Sequence, residues 1–231
     1  MIRSAIACAV GLMAASAHAA RPLTTDDARL TTAQSCQLES WLRYYPHSHE
    51  AWALPACNPT GNLEFSVGVG RAASDGQGAT RDYAFQAKTL FRTLETNGWG
   101  WGLAAGTVSH PGSVVGPNRL GNTYAYAPVS ASFNDDIVIL HANLGWIRDR
   151  MSGSNAATWG LGAEIQASAR IMVIAETFGD NHNNPYWQIG GRVSIVPNLI
   201  QIDATVGHQY SGPFGGRCFS VGLRLTPDRL F

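Results

Sequence analysis

Apolar and polar residues alternate along this chain in short blocks. Over residues 217–226, Phe219, Val221, Leu223 and Leu225 share one face of an extended strand, while Cys218, Ser220, Gly222, Arg224 and Thr226 share the other, because successive strand side chains point to opposite sides of the backbone. The same period of two runs through Phe65, Val67 and Val69, through Trp159, Leu161, Ala163 and Ile165, and through Ile200, Ile202, Ala204 and Val206. Gly, Pro, Asn and Asp divide the chain into blocks at 35–45, 50–57, 62–71, 81–93, 98–109, 123–133, 136–148, 157–168, 170–178, 185–196, 199–210 and 217–226. Their lengths are near the roughly 9–11 residues that a tilted strand needs to cross a bilayer.

The connections between blocks alternate in length. Those at 58–61, 95–97, 134–135, 169 and 197–198 are short, and those at 72–80, 110–122, 149–155, 179–184 and 211–216 are longer. Only 46–49 is short where the rhythm asks for a long loop. Short periplasmic turns and long external loops are the habit of outer-membrane barrels. The pattern predicts an all-β fold, a transmembrane antiparallel up-and-down β-barrel of about twelve strands over residues 35–231. Its rival is a soluble lipocalin-like barrel, in which the same apolar faces point inward.

Composition favours the first. Charged residues make up 14% of the chain, against roughly 25% in ordinary soluble domains. Sixteen basic residues balance sixteen acidic ones, so no net field draws the chain to nucleic acid, and no nucleic-acid partner is expected. Arg3, an apolar core over residues 5–15 and the small-x-small triplet Ala17-His18-Ala19 make residues 1–19 a secretory signal peptide. Residues 20–34 are polar and unpatterned and read as a periplasmic N-terminal lead-in, too short for a large plug. The expected location is the outer membrane of a Gram-negative bacterium, with membrane lipid around the barrel and a small-molecule solute within it. The terminal Phe231 is the feature by which barrel-assembly machinery would recognise the chain. Tyr44, Tyr83, Tyr124, Trp146, Trp159, Trp187, Tyr210 and Phe219 fall near the predicted external ends of strands, and Phe91, Trp99, Trp101, Phe133 and Phe231 near the periplasmic ends. Two interfacial aromatic girdles follow.

The polar faces hold the candidate chemistry. Glu39, Arg43, Glu64, Lys88, Arg92, Glu164, Arg192, Asp203 and Arg224 are assigned to the lumen; Glu176 is assigned less simply, because its block is apolar on both faces. These charges either line an aqueous path and set its selectivity or pair with one another across the lumen, as charges withdrawn from water must. Pairing is expected for most of them. Arg224, on the last strand, should lie near Glu39 or Asp203 once the barrel closes. Cys36 and Cys57 fall symmetrically about Pro46-His47, which makes them a disulfide candidate across a hairpin. The histidines do not supply the three or four converging ligands of a metal site, and no cofactor motif occurs. Ser109-His110 is the nearest nucleophile and base in sequence, and a lipid-modifying hydrolase is kept as an alternative beside a structural or adhesive barrel, although neighbouring strand residues face opposite ways.

Several short stretches resemble a known family, the outer-membrane barrels labelled as MetA-pathway phenol degradation proteins. They are Arg21-Pro-Leu-Thr-Thr-Asp-Asp-Ala28, Cys36-Gln-Leu-Glu-Ser40, Asn62-Leu-Glu-Phe65, Ala175-Glu-Thr-Phe-Gly179, Pro197-Asn-Leu-Ile-Gln-Ile-Asp203 and the terminal Phe. The resemblance implies an outer-membrane pore or transporter for small solutes, hydrophobic or aromatic ones among them, with no chemical step. The family often carries a Pro-Thr-Gly turn where this chain has His110-Pro-Gly-Ser113, so the solute itself is not carried over.

Overall fold

The computed structural model describes residues 23–76, 78–110, 121–211 and 216–228. The signal-peptide reading of residues 1–19 and the role given to Phe231 lie outside the described residues. Twelve strands follow in order: β1 Ser35–Tyr45, β2 Ser48–Asn58, β3 Leu63–Ser74, β4 Thr80–Arg92, β5 Trp99–Ser109, β6 Asn122–Phe133, β7 Val138–Arg148, β8 Asn155–Gln166, β9 Ile171–Asp180, β10 Tyr186–Val196, β11 Ile200–Gln209 and β12 Cys218–Leu225. Each pairs antiparallel with its chain neighbour, and β12 returns to β1, giving a closed twelve-stranded barrel. The closing seam runs from Leu38 opposite Leu225 to Tyr44 opposite Phe219. Closure leaves no sheet edge with unpaired backbone groups, the condition for a sheet to sit in hydrocarbon.

Residue chemistry explains the turns. Asn134, Asp135 and Asp136 all have positive φ, as do Asn97 and Asn198, a left-handed conformation that Asn and Asp tolerate better than other side chains. Adjacent turns are laced together: Asn97 Nδ2 donates to Asp135 Oδ1 at 2.6 Å, and Asp135 N donates back to Asn97 Oδ1 at 2.8 Å.

The faces sort as a membrane barrel requires. Phe65, Val67, Val69, Leu144, Leu161, Ile202 and Val206 are exposed on the outside, Leu144 to 73%. Glu39, Glu64, Lys88, Glu164, Arg192 and Asp203 are buried within. A soluble barrel would reverse this order, because burying apolar area is its main source of stability; the lipocalin-like alternative is thereby set aside. Two assignments change. Arg92 points outward, because a bulge between Leu90 and Arg92 shifts the β4–β5 register by one residue and moves its side chain to the other face. There it lies 4.3 Å over the Trp99 ring. Tyr124 points into the lumen and is 7% exposed, so it leaves the aromatic girdle.

Candidate functional site

The largest departure from the sequence reading concerns residues 23–34. Residues 23–31 do not lead in from outside; they enter the barrel and fill it, while 32–34 are exposed. Leu23, Thr25, Asp26, Asp27, Ala28 and Thr31 are all buried. The segment works as a plug despite its length because a polar wall can satisfy a short extended backbone that has no partner strand.

The wall supplies those partners from many sides. On β9, Glu176 Oε1 and Oε2 accept the N–H groups of Thr24 at 2.6 Å and Thr25 at 2.7 Å. On β7, Asn143 Oδ1 accepts Asp26 N at 2.6 Å, and on β6, Ser130 Oγ accepts Ala28 N at 2.8 Å. On β3, Glu64 Oε2 accepts both the N–H and the hydroxyl of Thr31 at 2.6 Å, while Asn58 Nδ2 of β2 donates to Thr31 O at 2.7 Å. Lys88 Nζ of β4 reaches Asp26 at 2.9 Å and Asp27 at 3.5 Å, and Tyr126 Oη donates to Asp26 Oδ2 at 2.6 Å. Arg29 of the segment lies 3.3 Å from Glu164 on β8. Two glycines make room: a Cβ on Gly160 would stand 2.5 Å from Thr25 Oγ1, and one on Gly162 would stand 3.3 Å from Leu23 Cδ1.

The remaining lumen charges pair along the wall. Arg224 Nε lies 3.3 Å from Glu39 Oε1, and its Nη2 donates to Gln37 at 2.9 Å, so of the two partners expected for Arg224 it is Glu39 that it meets. Arg43 lies 3.5 Å from Glu50, and Arg192 lies 3.3 Å from Glu164. Asp203 stands directly across from Arg192 in the β10–β11 register. The inner wall thus buries Glu39, Glu50, Glu64, Asp82, Glu164, Glu176 and Asp203, against the bases Arg43, Lys88, Arg192 and Arg224.

Beside this polar layer, Trp41, Trp52, Leu54, Ala84, Val108 and Tyr124 form an apolar cluster inside the barrel. Trp41 and Trp52 are stacked with centroids 6.0 Å apart. Between cluster and segment remains a cavity of about 30 Å³, bordered by Glu39, Leu54, Glu64, Lys88 and Arg224. That is room for about a water or two.

Cys36 and Cys57 face each other across β1 and β2 and are joined by a disulfide. His110 Nδ1 turns to Asp82 Oδ1 at 3.0 Å, whereas Ser109 pairs with outward-facing Tyr83; the two do not form a nucleophile and base. Ser130, His141 and Glu164 do stand in a row, at 2.8 Å and 3.7 Å. Ser130 Oγ is buried under Ala28, whose N–H it accepts, so this row holds the segment.

The match to a family model spans residues 7–223. The chain belongs to the family described as Uncharacterised conserved protein UCP029691. This is the family shown, in place of the phenol-degradation barrels suggested by resemblance. No curated protein matches the chain. Among solved structures it is similar to the KdgM porin (10% identity, TM-score 0.63, covering 83% of this chain and 99% of that one). It is also similar to the NanC porin (8%, 0.61, 84% and 100%). The COG4313 outer membrane channel from Pseudomonas putida F1 matches at 9% identity and TM-score 0.62, over 86% of this chain and 97% of that one. These likenesses show a shared barrel fold.

Geometry recovers residues that the sequence left aside, Asp26, Asp27, Arg29 and Ser130, and places Glu176 on the lumen side. The available signal was the density of hydrogen-bonding groups in Thr24-Thr25-Asp26-Asp27, next to a predicted lumen rich in acceptors.

Proposed function

We propose that this protein is a passive outer-membrane pore for small solutes, closed in the present state by its own residues 23–34. The observation that carries the reading is a barrel apolar outside and charged inside whose bore is filled by a segment bound through hydrogen bonds and ion pairs to seven strands. A segment held by polar contacts can be exchanged for water and solute, whereas an apolar core cannot. The exposed apolar belt and the likeness to outer-membrane channels support the location. The Trp41–Trp52 layer supports hydrophobic or aromatic groups among the solutes. Wall charges set the selectivity, and assembly through Phe231 belongs to the same proposal. No chemical step is assigned.

Planar-bilayer recording tests it. The wild-type chain should conduct rarely, and Gly160→Leu, whose side chain would occupy the place of Thr25, should conduct at least about tenfold more often. Silence from both proteins would remove the pore reading.

A further inference from the structure

Resting on the pore reading, we infer that the recess of Glu176, once residues 23–34 leave it, binds guanidinium groups of solutes passing through the lumen. The present occupant shows the shape of the required ligand. Two successive backbone N–H groups meet the carboxylate with one donor on each oxygen, Thr24 N on Oε1 at 2.6 Å and Thr25 N on Oε2 at 2.7 Å. A guanidinium presents the same two parallel donors in a fixed plane and adds a full positive charge. Gln188 Nε2 on the next strand also donates to Oε1, which holds the carboxylate in place.

The surroundings admit such a group. Gly162 stands across from Glu176 in the β8–β9 register, and with Gly160 it floors the recess without side chains, which is how Thr25 fits there. The charge also points to a cation. Glu39, Glu50 and Glu164 each have an arginine of the wall within 3.5 Å, and Asp82 has His110 at 3.0 Å. Glu64 stands across from Lys88 in the β3–β4 register, so Lys88 can turn to it when Asp26 and Asp27 withdraw. No basic side chain of the wall lies within ion-pair distance of Glu176 among the described residues; its hydrogen-bond partners are the two segment N–H groups and Gln188. Among the described residues the wall carries the seven buried acids and four bases named above, and a low-dielectric bore concentrates counter-ions of the opposite sign.

The experiment uses the full chain and two probes, agmatine, which carries a guanidinium, and putrescine, which carries only amines. Competition for Glu176 should release residues 23–34, so agmatine should raise the rate of Asp-specific endoproteinase cleavage before Asp26 and Asp27 about tenfold more than putrescine at equal concentration. Glu176→Gln, with its folding checked by heat-modifiable gel mobility, should lose that difference. Equal effects of the two probes, or a difference that persists in Glu176→Gln, would overturn the inference. In bilayers, the segment variant Asp26→Lys with Asp27→Lys leaves the wall intact and sets like charge against Lys88. Its current should be blocked by agmatine at about tenfold lower concentration than by putrescine. Current without that preference defeats the guanidinium site alone, and absence of current from this variant and from Gly160→Leu defeats the pore reading with it.

Discussion

Lys88 is the residue on which the closed state most depends. Its side chain is 4% exposed and faces two carboxylates, Asp26 and Asp27, that are 5% and 6% exposed. Removing one partner of a buried charge group costs about 3–5 kcal/mol, because the other charge is left without compensation. The barrel ladder does not depend on this group, so the cost falls on the segment. Lys88→Ala is therefore expected to release residues 23–34 while the barrel stays folded: limited trypsin digestion should cut after Arg29 in the variant and spare it in the wild type. Equal protection in both would refute this account of Lys88. At this scale the sequence was informative about faces and, beyond Arg224 with Glu39 and Cys36 with Cys57, silent about partners. The period of two put Lys88, Glu164 and Arg224 inside. Arg92 escaped it, because one bulge residue at the end of β4 reverses the parity on which the reading depends. Glu176 was obscured in the sequence because its strand also points Ile174 and Phe178 inward, as the register with Gly160 and Glu164 shows.

The strands themselves were legible, since all twelve expected blocks correspond to strands; alternating faces and Gly, Asn and Asp turns are local properties. The turn of Asn134 to Asp136 makes a pH prediction. Hydrogen bonds from Ser132 and then Thr96 hold the Asp136 carboxyl below its ordinary value. A carboxyl depressed in the folded state stabilises it above the unfolded value, near 4, and that contribution is lost as pH falls through the lower folded value. The protection factor of the Ile137 amide, whose N–H bonds Asn134 O, should therefore fall on acidification in the wild type and change less in Asp136→Asn. The β1–β2 hairpin carries a covalent element as well. The Cys36–Cys57 bond spans 21 residues, a loop for which cross-linking is worth about 3 kcal/mol. Replacing both cysteines by Ser should lower the temperature of the heat-modifiable gel shift without altering conductance. Residues 23–34 were the element that could not be read: the segment has no period because its backbone bonds run to side chains on five strands, and a local pattern cannot display such partners.

At the scale of the molecule, closure brings Arg224 of the last strand against Glu39 and Gln37 of the first, with Glu39 itself buried. Arg224→Glu would set two carboxylates across the seam and should cost several kcal/mol; loss of the compact, heat-modifiable band on gels would show it, and a normal band would refute it. Sequence alone determined a count of about twelve strands, the order of faces and the reach of the last strand to the first, because each follows from side-chain parity and connection length. Only the tertiary structure decided that the bore is occupied, that Arg92 lies outside and that Glu176 holds two N–H groups of the segment. The occupied bore and the role of Glu176 depend on contacts between residues distant in sequence, such as Thr25 and Glu176, which become neighbours only when the sheet closes; the face of Arg92 depends on one bulge in the β4–β5 register.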